Sequence, residues 1–269
     1  MKRIATIILV LAAIFTIVTG CSSKSAPAEN RGNTAAVPET DKPLVIGVDD
    51  KFAPMGFRDE NNELVGFDID YAKAAAEKMG VEVTFQPIDW KTKESELSSG
   101  RIDLIWNGYT ITEDRKQKVL FTKPYLANAQ VIVTLTGSKI TKLADLEGKV
   151  VGLQSLSSAA DALEANSVND KIKTVTEFPD NVLALNDLRS GRLDAVVIDE
   201  VVIDYYMAKQ EDTFKILDET LAPEEYGIGV KKGNEELLNK LQKALDEMNE
   251  EGTAAEISTK WFGENKVLK

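Results

Sequence analysis

The side chains best suited to hold a small polar molecule fall in three places: Asp49 and Asp50, the run Asn107 to Thr110, and Asp199. Each follows a short apolar run with the length of a β-strand. In open α/β sheets, ligands sit beyond the carboxyl ends of the strands, so acids and amides at these points suit recognition of a polar ligand. Covalent and metal chemistry have little to work with. The chain has no histidine, which excludes a Ser-His-Asp triad, a Cys-His pair and a His-ligated zinc. Cys21 is the only cysteine, so there is neither a disulfide nor a thiolate cluster. No metal or organic cofactor is expected.

Charge excludes another class of partner. The formal net charge is −12, and removing the two positive charges of Lys2 and Arg3 leaves −14 on the part after residue 20. Phosphate backbones are bound by basic patches. The longest basic cluster here, Arg115, Lys116 and Lys118, is short and reads as a helix surface, so nucleic acid is not an expected partner. At 269 residues, 43% hydrophobic and 28% charged, the composition is that of a globular protein with one large or two small domains.

The elements that must position these residues alternate between strand and helix. From Pro43 the pattern predicts a strand at 44–48, a helix at 68–79, a strand at 82–86, a helix at 93–98 and a strand at 103–106. The second half repeats the plan with a strand at 150–153, a helix at 159–165, a strand at 173–178, a helix at 182–190 and a strand at 194–198. Such alternation implies parallel sheets with crossover helices. Ser99-Gly100-Arg101-Ile102-Asp103 is echoed by Ser190-Gly191-Arg192-Leu193-Asp194 at the same point of each unit, with each glycine placed to cap a helix. Two similarly built lobes are expected. A further strand at 226–230 precedes an amphipathic helix at 235–250, whose Leu237, Leu238, Leu241, Leu245 and Met248 recur at helical spacing as core. If this end returns to the first lobe, the chain crosses between lobes twice, near 125–130 and 221–226, and two crossings make a hinge.

Lys2 and Arg3 precede a fifteen-residue, mostly apolar run, Ile4 to Val18, which leads through Thr19 and Gly20 to Cys21. A charged start, an apolar run too short for a comfortable span and a small-residue cleavage site make an export signal. The segment resembles a bacterial lipobox, which implies that Cys21 becomes the lipidated first residue of the mature chain. Residues 22–40, rich in Ser, Ala, Pro, Asn and Gly and without an aromatic residue, have the composition of a tether. Outside the first twenty positions no run of 18 or more apolar residues suggests a membrane span.

Val65-Gly66-Phe67-Asp68-Ile69-Asp70, the run Asn107 to Arg115, Phe121-Thr122-Lys123-Pro124-Tyr125 and Lys260-Trp261-Phe262-Gly263 resemble the polar amino-acid branch of bacterial extracellular solute-binding proteins, family 3. The similarity runs from Leu44 to Gly263, and glutamine-binding and lysine/arginine/ornithine-binding proteins are its well-understood members. It implies an α/β, two-lobed periplasmic-binding-protein-like (type II) fold, each lobe a mostly parallel sheet flanked by helices, joined by a two-strand hinge. The division expected is signal peptide 1–20, flexible tether 21–42, lobe 1 at 43–129, lobe 2 at 130–223 and a return to lobe 1 at 224–269.

An amino acid in a closed cleft is a zwitterion stripped of water, and each of its charges needs a bonded partner. The resemblance implies that Arg115 clamps the α-carboxylate through two parallel bonds, assisted by Thr110 and by the helix start at Ser157 and Ser158. Asp199 would receive the α-ammonium together with a backbone oxygen of Asn107 or Gly108. Taken singly, an arginine in a Thr-x-x-Arg turn is an ordinary solvated helix residue, and an aspartate after a strand is an ordinary cap. Phe52 and Trp90 match two aromatic positions that sandwich the ligand's side chain, against the plainer role of core packing. Asp49, with Asp50 as rival, and Gln154 would contact the end of that side chain. Acid there disfavours glutamate and aspartate and is compatible with glutamine, arginine, lysine, histidine or cystine. Leu156 stands where relatives often have glycine; it narrows the pocket or points away.

The implied activity is the substrate-binding component of an ABC amino-acid importer, a monomer lipid-anchored through Cys21 on the outer face of the cell membrane of a Gram-positive-like bacterium, with permease subunits as partners. The rivals are a cyclohexadienyl-dehydratase-like enzyme on the same fold, which lacks an evident general acid here, and a sensory domain, which needs a membrane-spanning signalling segment not found before Lys269.

Overall fold

The computed structural model describes residues 42–210 and 212–268. The export segment, Cys21 and the tether up to residue 41 lie outside those residues. Among the described residues no helix is long and apolar enough to cross a membrane.

The chain opens with β1 (Leu44–Val48) and the short strands β2 (Lys51–Phe52), β3 (Gly56–Arg58) and β4 (Leu64–Val65), which form a small sheet of their own. There follow α1 (Phe67–Met79), β5 (Val83–Pro87), α2 (Lys93–Ser99), β6 (Leu104–Ile105), α3 (Glu113–Lys118) and β7 (Val119–Phe121). The middle of the chain holds β8 (Leu126–Leu135), β9 (Val150–Gln154), α4 (Ser158–Glu164), β10 (Thr174–Phe178), α5 (Asn181–Arg189), β11 (Ala195–Asp199), α6 (Glu200–Lys209), β12 (Phe214–Ile216) and β13 (Ala222–Tyr226). The last elements are β14 (Gly229–Lys231), α7 (Glu235–Glu251) and α8 (Thr253–Phe262).

Two larger sheets result. The first has the order β5-β1-β6-β14-β7, and the second β10-β9-β11-β8-β12 with β13 also on β8. In each, three strands run parallel, as the crossover helices require: β5-β1-β6 and β10-β9-β11. The remaining strands are antiparallel additions, so both sheets are mixed. β1 has a parallel neighbour on each side, which is why Leu-Val-Ile-Gly-Val is apolar without alternation.

The echoed pentapeptides build the same device twice. Gly100 and Gly191 both adopt left-handed φ, +76° and +73°, at the end of a helix. Asp103 accepts from the Val45 amide at 2.8 Å and returns its own amide to the Val45 carbonyl at 2.7 Å. Asp194 does the same to Val150, with both bonds at 2.8 Å. Arg101 pairs with Glu96 and Arg192 with Asp187, each acid five positions upstream.

Residues 226–230 are not one strand. Tyr226 ends β13, which pairs with β8 from Leu126↔Tyr226 to Gln130↔Ala222, whereas Gly229 begins β14 between β6 and β7 of the first sheet. The apolar run is continuous because both sheets bury their share of it, so periodicity does not reveal where the chain changes sheets. On α7, Leu241, Leu245 and Met248 are buried, and Leu237 and Leu238 pack at the edge of the same cluster. All three apolar clusters are built from residues between Val45 and Val267, so the part from Glu39 onward carries its own core.

Candidate ligand-binding site

Eight residues line a small, nearly filled cavity: Phe52, Trp90, Gly108, Arg115, Gln154, Ser157, Ser158 and Asp199. They come from the segments after β1, β5 and β6 on one side and from the ends of β9 and β11 and the start of α4 on the other. A larger open groove, lined by Phe57, Tyr205, Tyr206 and Trp261 among others, runs along the outside. It does not reach Arg115 or Asp199, the charges that could bind a zwitterion, so the small cavity is the candidate.

Arg115 is only 4% exposed. Thr112 accepts the Arg115 amide at 3.2 Å and starts α3, which turns the side chain inward, and the guanidinium then lies 4.8 Å from the centre of the Tyr109 ring. Its Nη1 donates to the Thr110 carbonyl at 2.9 Å, and among the described residues no carboxylate pairs with it. A buried guanidinium with spare donors is a receptor for an anion.

Asp199, also 4% exposed, ends β11. Tyr226 donates its hydroxyl to Oδ1 at 2.6 Å and Asn128 its amide at 2.8 Å. Burial first, and then the charge of Glu224, hold the carboxyl well above its ordinary range. No cation among the described residues pairs with it, so an ammonium arriving in the cavity would relieve both penalties.

Glu224 was not evident from the sequence. Its Oε2 accepts from Thr110 at 3.0 Å, Asn128 at 3.1 Å and Gln130 at 3.0 Å, which ties β13 to the floor of the cavity. In Ala-Pro-Glu-Glu-Tyr it resembles a surface charge; the period-two alternation that puts it on one face with Ala222 and Tyr226 was the available signal.

Gln154 presents a defined face. Its Nε2 donates to Asp49 Oδ2 at 2.7 Å and to the Pro179 carbonyl at 3.1 Å, so both amide protons are used and Oε1 remains as an acceptor. Asp49 does not line the cavity: it sits one layer behind Gln154, its Oδ1 accepting from the Lys51 amide at 3.0 Å, and burial raises its pKa to about 6. Its rival Asp50 pairs with Arg58 toward solvent. Asn107 is not a lining residue either, its side chain packing against Gly56. Thr110 stands just outside, 3.1 Å from the Ser158 hydroxyl. Gly108 has φ +56°, and a Cβ there would lie 2.8 Å from Phe52, so backbone shape and crowding both require glycine. Asp68, buried behind it with a pKa pushed to about 7, holds the Gly108 amide at 2.7 Å and the Tyr125 hydroxyl at 3.0 Å. Leu156 is 58% exposed at φ +52° and points away from the cavity. Ser157 spends its hydroxyl on the Gln154 carbonyl, 2.7 Å away, which leaves its backbone at the cavity wall.

Besides the bonds of Asp199 and Glu224, further polar contacts join the two sides around the cavity. Lys51 pairs with Asp180 at 2.9 Å, Gln154 reaches Asp49, Thr110 meets Ser158, and Lys93 donates to the Leu156 carbonyl at 2.9 Å.

The sequence profile of bacterial extracellular solute-binding proteins, family 3, matches residues 44–264. The L-cystine-binding protein TcyJ of Escherichia coli K12 is 32% identical over 249 residues, covering 92% of this chain and 91% of its own. The substrate-binding protein of an ABC uptake transporter from Streptococcus pneumoniae, solved with bound histidine, has a TM-score of 0.81 at 39% identity, covering 84% of this chain and 95% of that chain. An ancestral arginine-binding protein bound to arginine has a TM-score of 0.79 at 44% identity, with 83% and 100% covered. The two-lobed α/β architecture is common to these proteins and this one, and the chain belongs to the bacterial extracellular solute-binding proteins, family 3.

Proposed function

We propose that this protein is the substrate-binding component of an ABC amino-acid importer and captures one polar L-amino acid between its lobes. The observation that carries this is the pairing of Arg115 and Asp199 on the wall of one small cavity. They are opposite charges from opposite lobes, both buried, and neither has an ion-pair partner among the described residues. A zwitterion answers both, carboxylate to Arg115 and ammonium to Asp199. The free acceptor of Gln154, backed by Asp49, favours a side chain that donates, such as a guanidinium, imidazole, ammonium or amide, over a carboxylate. The names of relatives point the same way: cystine, arginine, histidine and glutamine are what those proteins bind.

In this reading lobe 1 is 43–129 with the return at 224–269, lobe 2 is 130–223, and closure occurs about the paired crossings of β8 and β13. The export signal and a lipid on Cys21 would keep the protein at the outer face of the membrane, beside its permease. Residues 39–269, stripped by unfolding and refolding, should show a selective thermal shift with one or a few of the twenty amino acids, ornithine or cystine. Affinities from micromolar to tens of nanomolar, about −8 to −11 kcal/mol, suit scavenging. No shift with any of them, or turnover of arogenate or prephenate, would overturn the proposal in favour of an enzyme on this fold.

A further inference from the structure

Lys93 is a buried cation that the ligand site described above does not use. Its side chain, at the start of α2, is 2% exposed. An ammonium taken out of water needs partners for its protons. Here Nζ donates to the Leu156 carbonyl at 2.9 Å and to the Trp90 carbonyl at 3.3 Å. Glu94 Oε2 lies 3.3 Å away, and the centre of the Trp90 ring 5.2 Å. Trp90 is one wall of the cavity. Leu156 is bracketed by Gln154, Ser157 and Ser158 of the opposite wall. One ammonium thus grips the backbone of both walls from outside the cavity.

The turn that it grips is strained. Leu156 adopts left-handed φ, which an L-residue with a branched side chain resists. Because that side chain is 58% exposed, packing offsets little of the cost, and the carbonyl bond to Lys93 is the contact that crosses to the other lobe. The ammonium is also costly to the free fold. Burial is the largest influence on it and lowers its pKa to about 8, Arg115 on α3 opposes its charge, and Glu94 on α2 and Asp161 on α4 favour it. A lysine that served stability alone would be improved by an apolar side chain of similar size.

We propose that Lys93 is a positioning residue that latches the closed cleft: its ammonium captures the Leu156 carbonyl, seats the 154–158 turn against Trp90 and slows release of the bound amino acid. This rests on the ligand site proposed above.

The test uses residues 39–269 as wild type, Lys93→Met, Lys93→Arg and Lys93→Met with Leu156→Gly. L-arginine, L-histidine, L-glutamine and L-cystine are the probes, and stopped-flow tryptophan fluorescence is the readout. A latch predicts that Lys93→Met raises the dissociation rate constant about tenfold and leaves association within twofold, without lowering the melting temperature of the free protein. Lys93→Arg, which keeps the charge and the donors, recovers part of the loss. Leu156→Gly recovers part of it in the Met background, because glycine holds the turn unaided. An unchanged dissociation rate overturns the proposal. So does a fall in association together with a lower melting temperature, which marks a merely structural lysine. If wild type binds none of the four amino acids, the proposed function fails, and the latch is judged by X-ray scattering of the free proteins. A more extended Lys93→Met supports it, and identical profiles overturn it.

Discussion

Replacing Asp199 by asparagine is expected to move affinity and stability in opposite directions. The substitution keeps one oxygen where the Tyr226 hydroxyl and the Asn128 amide now donate, and it removes a buried charge that faces Glu224. Without an amino acid that charge is a burden. A carboxyl whose folded pKa is raised holds its proton more tightly than in the unfolded chain, so its contribution is fully present below the unfolded value and is lost as pH rises through the folded one. A neutral amide at this position carries no such penalty. The variant should therefore match wild type near pH 4 and melt higher than wild type at pH 8. With an amino acid bound the sign reverses. A buried ammonium left without its counter-charge costs about 3–5 kcal/mol, roughly a hundred- to several-thousandfold in Kd. Calorimetry with L-arginine, L-histidine, L-glutamine and L-cystine at pH 8, with thermal melts of the free proteins at pH 4 and pH 8, reads both effects. A Kd within threefold of wild type, or a free variant that melts lower at pH 8, refutes the assignment of Asp199 to the ammonium.

Arg115→Met removes a buried guanidinium with no carboxylate partner, so binding measured by calorimetry should weaken by about 3 kcal/mol or more, two charge-assisted bonds at about 1.5–3 kcal/mol each, while the free protein melts no lower. Gly108→Ala forces a Cβ into a left-handed position 2.8 Å from Phe52; urea unfolding should show a loss of about 1–3 kcal/mol, and displacement of Phe52 should weaken binding as well. Asp49→Asn supplies a donor in place of the acceptor that now fixes Gln154, so the Gln154 amide can turn over. Comparison of L-glutamine with L-glutamate should show the preference for the amide shrinking. Because the Asp49 pKa is raised to about 6, stability that wild type loses between about pH 4 and pH 6 should be retained by this variant in thermal melts.

The order of elements was legible because strand and helix periods alternate cleanly and because helix ends carry glycine, as at Gly80, Gly100 and Gly191. The lining of the cavity was legible for a different reason. Phe52, Trp90, Gly108, Arg115, Gln154, Ser157, Ser158 and Asp199 stand at the ends of strands or in the segments that follow them, where a pattern specifies place as well as residue type. Lys93 and Glu224 escaped because nothing local separates a charge that tertiary packing buries from one that water surrounds: Lys91 and Lys93 are two residues apart, and only the second is covered. Asp49 was expected at the end of the ligand's side chain and stands behind Gln154, since its position after β1 is common to a lining residue and to the partner of one. The passage from β13 to β14 was hidden because two different sheets ask for the same apolar residues.

The doubled bond of Asp103 to Val45, and of Asp194 to Val150, has a mechanical meaning. Each fastens the last parallel strand of a lobe to its first, at the edge farthest from the cavity. A plate stitched at its heel resists shear, so in the proposed closure each lobe would turn as one body about the paired crossings of β8 and β13. A small rotation there would arrive undiminished at the tips of the plates, where Gln154 and Trp90 stand, as the motion of a stiff jaw about a thin leaf spring.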